Sequence, residues 1–448
     1  MFRSTLIFLA LALSQLAPAQ KPNIILIFTD DQGYNDLSCF GSTTIKTPHI
    51  DTLAKEGTKL TSFYSPSPVC TPSRAGLLTG CYPKRVGLEK GVLFPYSKRG
   101  LHPEEVTIAE VLRSAGYATA CIGKWHLGHH PPFLPTQQGF DYYYGIPYSN
   151  DMAHPDNRGK PKGNQDNIWL NQKTATQSWN TPLLENDRII ELPVDQRTIT
   201  RRYTDKAIDF IANNKERPFF LYIPHSMPHI PLFVPEDCYD PNPLNAYKTV
   251  IEHIDSEVGR LVNALKAQQL TENTIIIFTS DNGPWLRFEH HGGSAKPLRD
   301  GKGTTFEGGQ RVPCIIWGPN IIPANTTNDA LASHIDLFPT LASLAGAEMK
   351  TRGPIDGLDL SATLTTSAPS PRDTFLYYSS QGKLEGIRHG SWKFLIKKNT
   401  PMLFNLHNDI AEKHNLAPHM PDKCQMLRTR MRKLDHTITN QKRPAANL

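Results

Sequence analysis

Beyond its first twenty residues, this 448-residue chain has no apolar stretch approaching the roughly 20 residues that cross a bilayer, so no membrane span is expected in its body. It has no CxxC pair, which argues against a zinc ribbon or a thioredoxin-like redox site. It has no basic arm either. The net charge of +6 is spread along the chain, a pattern that fits an anionic substrate and argues against a nucleic-acid partner. No internal repeat or low-complexity block appears. What remains is ample apolar material, 39% of the residues, enough for the core of a large globular enzyme.

The N-terminus differs from the body. Arg3 precedes the apolar run LIFLALALSQLA, and Ala17-Pro18-Ala19 supplies small residues for cleavage. This is the layout of a secretory signal, so residues 1–19 are expected to be removed and the mature chain to begin near Gln20. The destination is then the periplasm, the cell exterior or, in a eukaryotic host, the lysosome. Seven cysteines (Cys39, Cys70, Cys81, Cys121, Cys238, Cys314 and Cys424) make an odd number, so at least one is unpaired or modified. A Cys70–Cys81 disulfide and a modified Cys70 are both open at this level.

Two segments far apart share one design. NIILIFTDDQG is a continuous apolar run of strand length that ends in Asp30 and Asp31, and NTIIIFTSDNGP repeats it with Asp281 and Asn282. Such uniform runs mark strands buried on both faces, and open α/β sheets bind ligands beyond the carboxyl ends of their strands. Four oxygen-bearing side chains could thus meet in one crevice, a set suited to Ca²⁺ or Mg²⁺ rather than zinc. Helix-like segments (TIAEVLRSAGY, YKTVIEHIDSEVGRLVNAL) alternate with strand-like ones (YATACIG, PFFLYIP), which predicts a doubly wound α/β domain. Its expected extent is 20–345, with residues 153–182 as a surface excursion. Past Gly353 the pieces TFLYYSS, GIRHGSWKFLI and PMLFNL, then MLRTRMRKL, predict a smaller C-terminal α+β domain over 346–448, an antiparallel sheet with a packed helix.

The stretch VCTPSRAGLLTG sets Cys70 and Pro72 before a helical run, SRAGLLTG, whose N-terminal amides would form an anion site. Arg74 adds a fixed positive fork for oxyanions, and a thiolate at Cys70 is expected to be acidic and reactive there.

CTPSRAGLLTG resembles the signature of the type I sulfatases, in which this cysteine is oxidised to Cα-formylglycine. The likeness runs over nearly the whole mature chain. PYSND resembles the arylsulfatase A and N-acetylgalactosamine-6-sulfatase branch, and the likeness implies an alkaline-phosphatase-like mixed sheet flanked by helices. TDDQG and SDNG resemble the two metal half-sites, which implies a divalent cation, Ca²⁺ before Mg²⁺, on Asp30, Asp31, Asp281, Asn282 and the modified Cys70. GKWHLG carries over Lys124 and His126, the P-H-x-P pattern carries over His229, and GKGTTFEGG carries over Lys302. PYSND places Ser149 against the sulfate. His225 lies outside its pattern and is assigned at most a supporting position, and Ile410 stands where proline is common in the closing LFNLHNDIAEKHNL. His129, His130, His290 and His291 match no motif and are read as loop histidines.

The resemblance implies hydrolysis of sulfate monoesters of sulfated sugars or glycans, with aryl sulfates as surrogates, after a formylglycine-generating maturation enzyme has acted. Arg74, Lys124 and Lys302 would stabilise developing negative charge, Asp281 would take the proton of the attacking diol, and His229 with Lys302 would protonate the leaving oxygen. His126 would help the sulfated diol collapse and expel sulfate. A phosphonate or phosphate monoester hydrolase of the same superfamily and a non-catalytic sulfated-glycan-binding protein are the competing functions.

Overall fold

A computed structural model describes residues 21–154 and 163–448; the expected secretory signal lies outside them. Its centre is an eleven-stranded mixed sheet. Along the path of hydrogen-bonded neighbours the strands are Thr326–Asn328, Thr58–Tyr64, Arg311–Trp317, Thr274–Ser280, Asn23–Thr29, Phe219–Pro224, Ala118–Ile122, Tyr142–Gly145, Leu183–Glu185 and Arg188–Glu191. Ala332–Ser333 pairs off this path with Thr58–Tyr64.

The apolar runs read from the sequence are the middle of this sheet, and burial explains their uniformity. Ile25 and Ile27 enter one core while Ile24, Leu26 and Phe28 enter the other, all nearly inaccessible. Alternate residues of a strand face opposite sides, so a strand covered on both needs apolar residues at every position. The helices Pro48–Lys55, Ile199–Asn213 and Ala246–Ala267 contribute Ile50, Tyr203 and Ile254 to the first core. On the opposite face Cys70–Thr79, Ile108–Ser114 and His334–Leu344 contribute Leu77, Leu112 and Phe338.

Five adjacent strands, from Thr274–Ser280 through Asn23–Thr29, Phe219–Pro224 and Ala118–Ile122 to Tyr142–Gly145, run parallel. Their carboxyl ends therefore share one edge. Thr29 pairs with Ser280, so the residues that follow each strand emerge side by side.

Two expectations change. The excursion at 153–182 is not wholly solvated in its described part: helices Gln165–Leu170 and Gln172–Ala175 form there, and Trp169 and Trp179 are buried in the first core. Burying two indoles offsets the ordering of a segment that is otherwise mostly polar. The Cys70 helix also begins at Cys70 itself rather than after Pro72. Proline is accommodated in that first turn because the N–H it lacks has no intrahelical acceptor there.

The C-terminal pieces form a four-stranded antiparallel sheet in chain order, Thr374–Tyr378, Leu384–His389, Trp392–Lys397 and Thr400–Asn405, with Pro421–Asn440 packed on it through Leu427 and Met431. This sheet reaches the main body through buried charge. Lys393 Nζ lies 2.9 Å from Glu307 and 2.8 Å from Glu412, Tyr377 Oη donates to Glu307 at 2.9 Å, and Glu307 N donates to Glu412 Oε2 at 2.7 Å. Burial opposes the charge on Glu307, yet Lys393, Arg311 and Arg388 hold its carboxyl below the usual range. Arg299 Nη1 also donates to Glu412 O at 3.0 Å. The closing sequence motif thus braces both ends of the loop that carries Lys302.

All seven cysteines lie among the described residues and none is in a disulfide, so the Cys70–Cys81 pairing is absent. Cys81 Sγ instead contacts Thr79 O at 3.4 Å.

Candidate active site

Each of the five parallel strands ends beside one cluster. Asp30 and Asp31 follow Asn23–Thr29, Asp281 and Asn282 follow Thr274–Ser280, and Lys124 and His126 follow Ala118–Ile122. Ser149 follows Tyr142–Gly145 and His229 follows Phe219–Pro224. Cys70 and Arg74 come from the helix after Thr58–Tyr64, and Lys302 from the loop before Arg311–Trp317. That loop is tied to the cysteine segment by Gly303 N donating to Pro68 O at 2.9 Å. Gly123 permits the close approach behind Lys124: its φ is +142°, and a Cβ there would sit 1.9 Å from Pro224 O.

Cys70 Sγ is 3.5 Å from Asp30 Oδ1 and 3.8 Å from Lys302 Nζ. Lys302 Nζ donates to Asp31 Oδ2 at 2.5 Å, and His229 Nε2 lies 3.5 Å from the same oxygen. Lys124 Nζ is paired with Asp30 and donates to Ser149 Oγ at 3.1 Å. Arg74 is fully buried; its Nε and Nη2 donate to Asp281 Oδ2 at 3.2 and 2.8 Å and its Nη1 to Lys124 O at 2.6 Å. These contacts join nine of the eleven residues expected at the site; Asn282 joins through Asp31, to which its Nδ2 donates, and His126 through the backbone, where Thr71 Oγ1 donates to His126 O at 2.9 Å.

Burial alone would raise the Asp30 carboxyl, but Lys124, His229, Arg74 and Lys302 hold it below the ordinary range. Asp281 goes the other way, up to about 7, because burial and the charge of Asp30 outweigh Arg74. Lys302 is raised despite burial by Asp31 and Cys70. The Cys70 thiol is pushed well above its usual value, first by burial and then by Asp30. This corrects the expectation of an acidic thiolate: the low-dielectric setting and adjacent carboxylate outweigh the helix terminus and two lysines.

The donor set fits a hard divalent cation. Asp30, Asp31 and Asp281 offer carboxylate oxygens, and Asn282 Oδ1 is buried without a hydrogen-bond partner while its Nδ2 donates to Asp31 Oδ1 at 2.7 Å. Ligand atoms of Asp30, Asp31, Cys70 and His229 lie within 4.8 Å of one another. A buried amide oxygen without a partner, on a residue bonded to one of these carboxylates, is a group that a cation would satisfy.

Trp285 belongs to this site although nothing in the sequence analysis singled it out. Lys302 Nζ lies 4.1 Å from its ring centroid, and the His229 ring 5.4 Å from it. Its position three residues after Asn282 was the available signal. His225 stays outside the cluster. It is buried with Nδ1 unpartnered, packs toward Tyr203 at 6.3 Å, and its imidazole is pushed down to about 3 by burial and by His253.

Removing Arg74 tests the electrostatics. Arg74→Met deletes the cation shared by two buried carboxylates, and a broken buried ion pair costs about 3–5 kcal/mol. Denaturant unfolding beside the parent protein should show a loss of that order, and a change near zero would show that Arg74 is not needed to compensate Asp281.

Residues 22–347 match the family model described as Sulfatase. The chain is 37% identical to arylsulfatase A of Homo sapiens over 472 aligned positions, covering 97% of this chain and 92% of that protein. It is 35% identical to N-acetylgalactosamine-6-sulfatase of Canis lupus familiaris, covering 84% of this chain and 72% of that protein. Among solved structures, Ps i-CgsB in complex with k-i-k-neocarrahexaose superposes with a TM-score of 0.80 at 33% identity, covering 93% of each chain. An alkaline-phosphatase-like mixed sheet, the crevice at its carboxyl edge and these likenesses lead to one conclusion: the chain belongs to the sulfatase family and is a sulfuric ester hydrolase.

Proposed function

We propose that the enzyme removes sulfate from sulfated sugar units of a polysaccharide, 6-sulfated galactose or N-acetylgalactosamine, with small aryl sulfates as surrogates. A relative named for N-acetylgalactosamine-6-sulfate and a neighbour solved with neocarrahexaose support a carbohydrate substrate. In this reading residues 1–19 direct export to the periplasm or cell exterior, residues 20–345 are the catalytic unit, and residues 346–448 brace it. A formylglycine-generating enzyme converts Cys70. Asp30, Asp31, Asp281 and Asn282 hold the cation together with the converted residue 70, and Ca²⁺ is favoured over Mg²⁺ because an all-protein oxygen cage suits the larger, less rigid ion.

The observation that carries the reading is the convergence of Cys70 Sγ, Asp30, Asp31 and Lys302 within 4 Å contacts at the carboxyl edge. When present, the cation supplies Lewis-acid stabilisation and the hydrated aldehyde supplies a nucleophilic hydroxyl with a second hydroxyl in reserve. The chain's own groups do the rest. Arg74, Lys124 and Lys302 line the crevice with fixed positive charge for the sulfate oxygens, and Ser149, anchored on Lys124, adds a neutral donor. Asp281 is the acceptor for the proton lost on attack.

The two histidines divide the remaining proton transfers. His229 Nδ1 meets Ile230 O at 2.6 Å; a carbonyl only accepts, so Nδ1 carries hydrogen, and Nε2 delivers a proton to the departing oxygen only from the imidazolium, a form that Asp31 at 3.5 Å favours and that burial and Lys302 oppose. His126 Nε2 meets Leu93 O at 3.0 Å by the same logic, which leaves its buried, unpartnered Nδ1 as a base for release of sulfate. Burial, Lys124 and Arg74 keep that imidazole neutral.

The mass of the tryptic peptide from Leu60 to Arg74, taken from protein made in its native host, tests the modification. Conversion of the cysteine is expected to lower it by about 18 Da, a covalent change. An unmodified thiol in active enzyme would overturn the proposed nucleophile. Parallel assays of aryl sulfate, phosphate and phosphonate esters should favour the sulfate, and defined sulfated oligosaccharides should release sulfate faster than non-sugar esters.

A further inference from the structure

His290 and His291, read from the sequence as loop histidines, are drawn onto a single carboxylate. His290 Nε2 lies 2.7 Å and His291 Nε2 2.8 Å from the same oxygen, Asp166 Oδ1. Consecutive side chains point to opposite faces of a strand and diverge by about 100° on a helix, so convergence of neighbours needs a special backbone. The pair follows a break in the turn Leu286–His291 at Glu289, whose φ is 50° and ψ −119°. The ring centroids stand 4.5 Å apart.

We propose that Asp166, His290 and His291 form a second metal site, distinct from the catalytic cluster, that takes a borderline divalent cation of the Zn²⁺ type. The donors are chemically unlike those around Cys70. Two imidazoles and one carboxylate suit Zn²⁺ or Co²⁺, whereas the all-oxygen set suits Ca²⁺. Their spacing is close to what binding needs: bonds of about 2.0 Å in a tetrahedral shell put donors roughly 3.3 Å apart, so a shift of about half an ångström opens the site. The three ligand atoms already lie within 4.8 Å of one another. The His291 side chain is 2% exposed, while those of His290 and Asp166 are 30% and 38% exposed, so a buried ligand anchors a site that an ion reaches from solvent.

The placement gives an ion something to do. Asp166 lies on the helix Gln165–Leu170, and the two histidines lie on the turn that begins just after Trp285, the ring beside Lys302 and His229. A cation bound here joins two segments more than a hundred residues apart and fixes the wall of the catalytic crevice to the excursion.

The test uses the full-length protein, saturated with Ca²⁺ so that the catalytic cluster is occupied, and Co²⁺ as the probe. One equivalent of Co²⁺ is expected to bind with visible absorption bands of nitrogen and oxygen ligation, Zn²⁺ is expected to displace it, and Zn²⁺ should raise the melting temperature. Asp166→Asn and His290→Ala change exposed ligands and should each weaken Co²⁺ binding by about tenfold or more, with Ca²⁺-dependent sulfatase activity retained as the control for folding. Binding of no Co²⁺ beyond the catalytic cluster, or equal binding by parent and both variants, would overturn the proposal.

Discussion

Cys70→Ser is expected to carry out one sulfuryl transfer and then stop. In the parent enzyme, as proposed, the sulfated diol keeps a second hydroxyl whose proton can leave, so the intermediate collapses to the aldehyde and expels sulfate. A serine ester has no such hydroxyl, and its breakdown needs attack by water at sulfur. Steady-state turnover should fall by about 10³-fold or more, the scale on which loss of covalent catalysis is usually felt. The stalled protein should carry about 80 Da of added mass on the peptide from Leu60 to Arg74, a covalent mark that dialysis does not remove. The fold should tolerate the change, because Asp30 and Lys302 flank the side chain at 3.5 and 3.8 Å and can hydrogen-bond a hydroxyl. Sustained multiple turnover by this variant would refute the formylglycine account while leaving the sulfatase family assignment intact.

Removing the divalent cation should be nearly as damaging. Three carboxylates are confined together, and among the described residues Arg74, Lys124 and Lys302, with His229, offset them. Lewis-acid stabilisation of a developing oxyanion is worth several kcal/mol, so chelator-treated enzyme is expected to lose roughly 10³-fold in turnover. Its melting temperature should also drop, since an ion that binds only the folded state stabilises it. Adding back Ca²⁺ should restore both more fully than Mg²⁺, because the smaller ion dehydrates reluctantly and demands octahedral geometry. Full activity after exhaustive chelation would remove the cation from the mechanism. Equal recovery with both ions would remove only the preference for Ca²⁺.

How legible the site was depended on how each residue advertises itself. Asp30 and Asp281 stand at the ends of uninterrupted apolar runs, and that pattern reflects burial on both faces of a parallel sheet. Cys70, Pro72 and Arg74 sit within a few residues of one another, so local sequence carries their relation. Lys124, His126, His229, Lys302 and Ser149 were reached only through resemblance, since a single lysine or histidine in a loop has no periodicity to mark it. Trp285 was missed because one tryptophan after a turn reads equally well as packing. The thiol of Cys70 was misjudged because helix position is visible in sequence, whereas complete burial and the proximity of Asp30 are not.

The sequence by itself determined the strands, the helices on either side of them, the acidic strand ends and the cysteine motif, because these depend on periodicity and on neighbours within a few residues. The tertiary structure decided which residues share a charge. Pairing of Thr29 with Ser280 brings aspartates 250 residues apart onto one site, and buried Arg74 spans Asp281 and the backbone of Lys124. It also decided that Trp169 and Trp179 anchor the excursion, and that Asp166 meets His290 and His291. Those outcomes depend on sheet register and long-range packing, which bring together groups whose separation along the chain carries no trace of their distance in space.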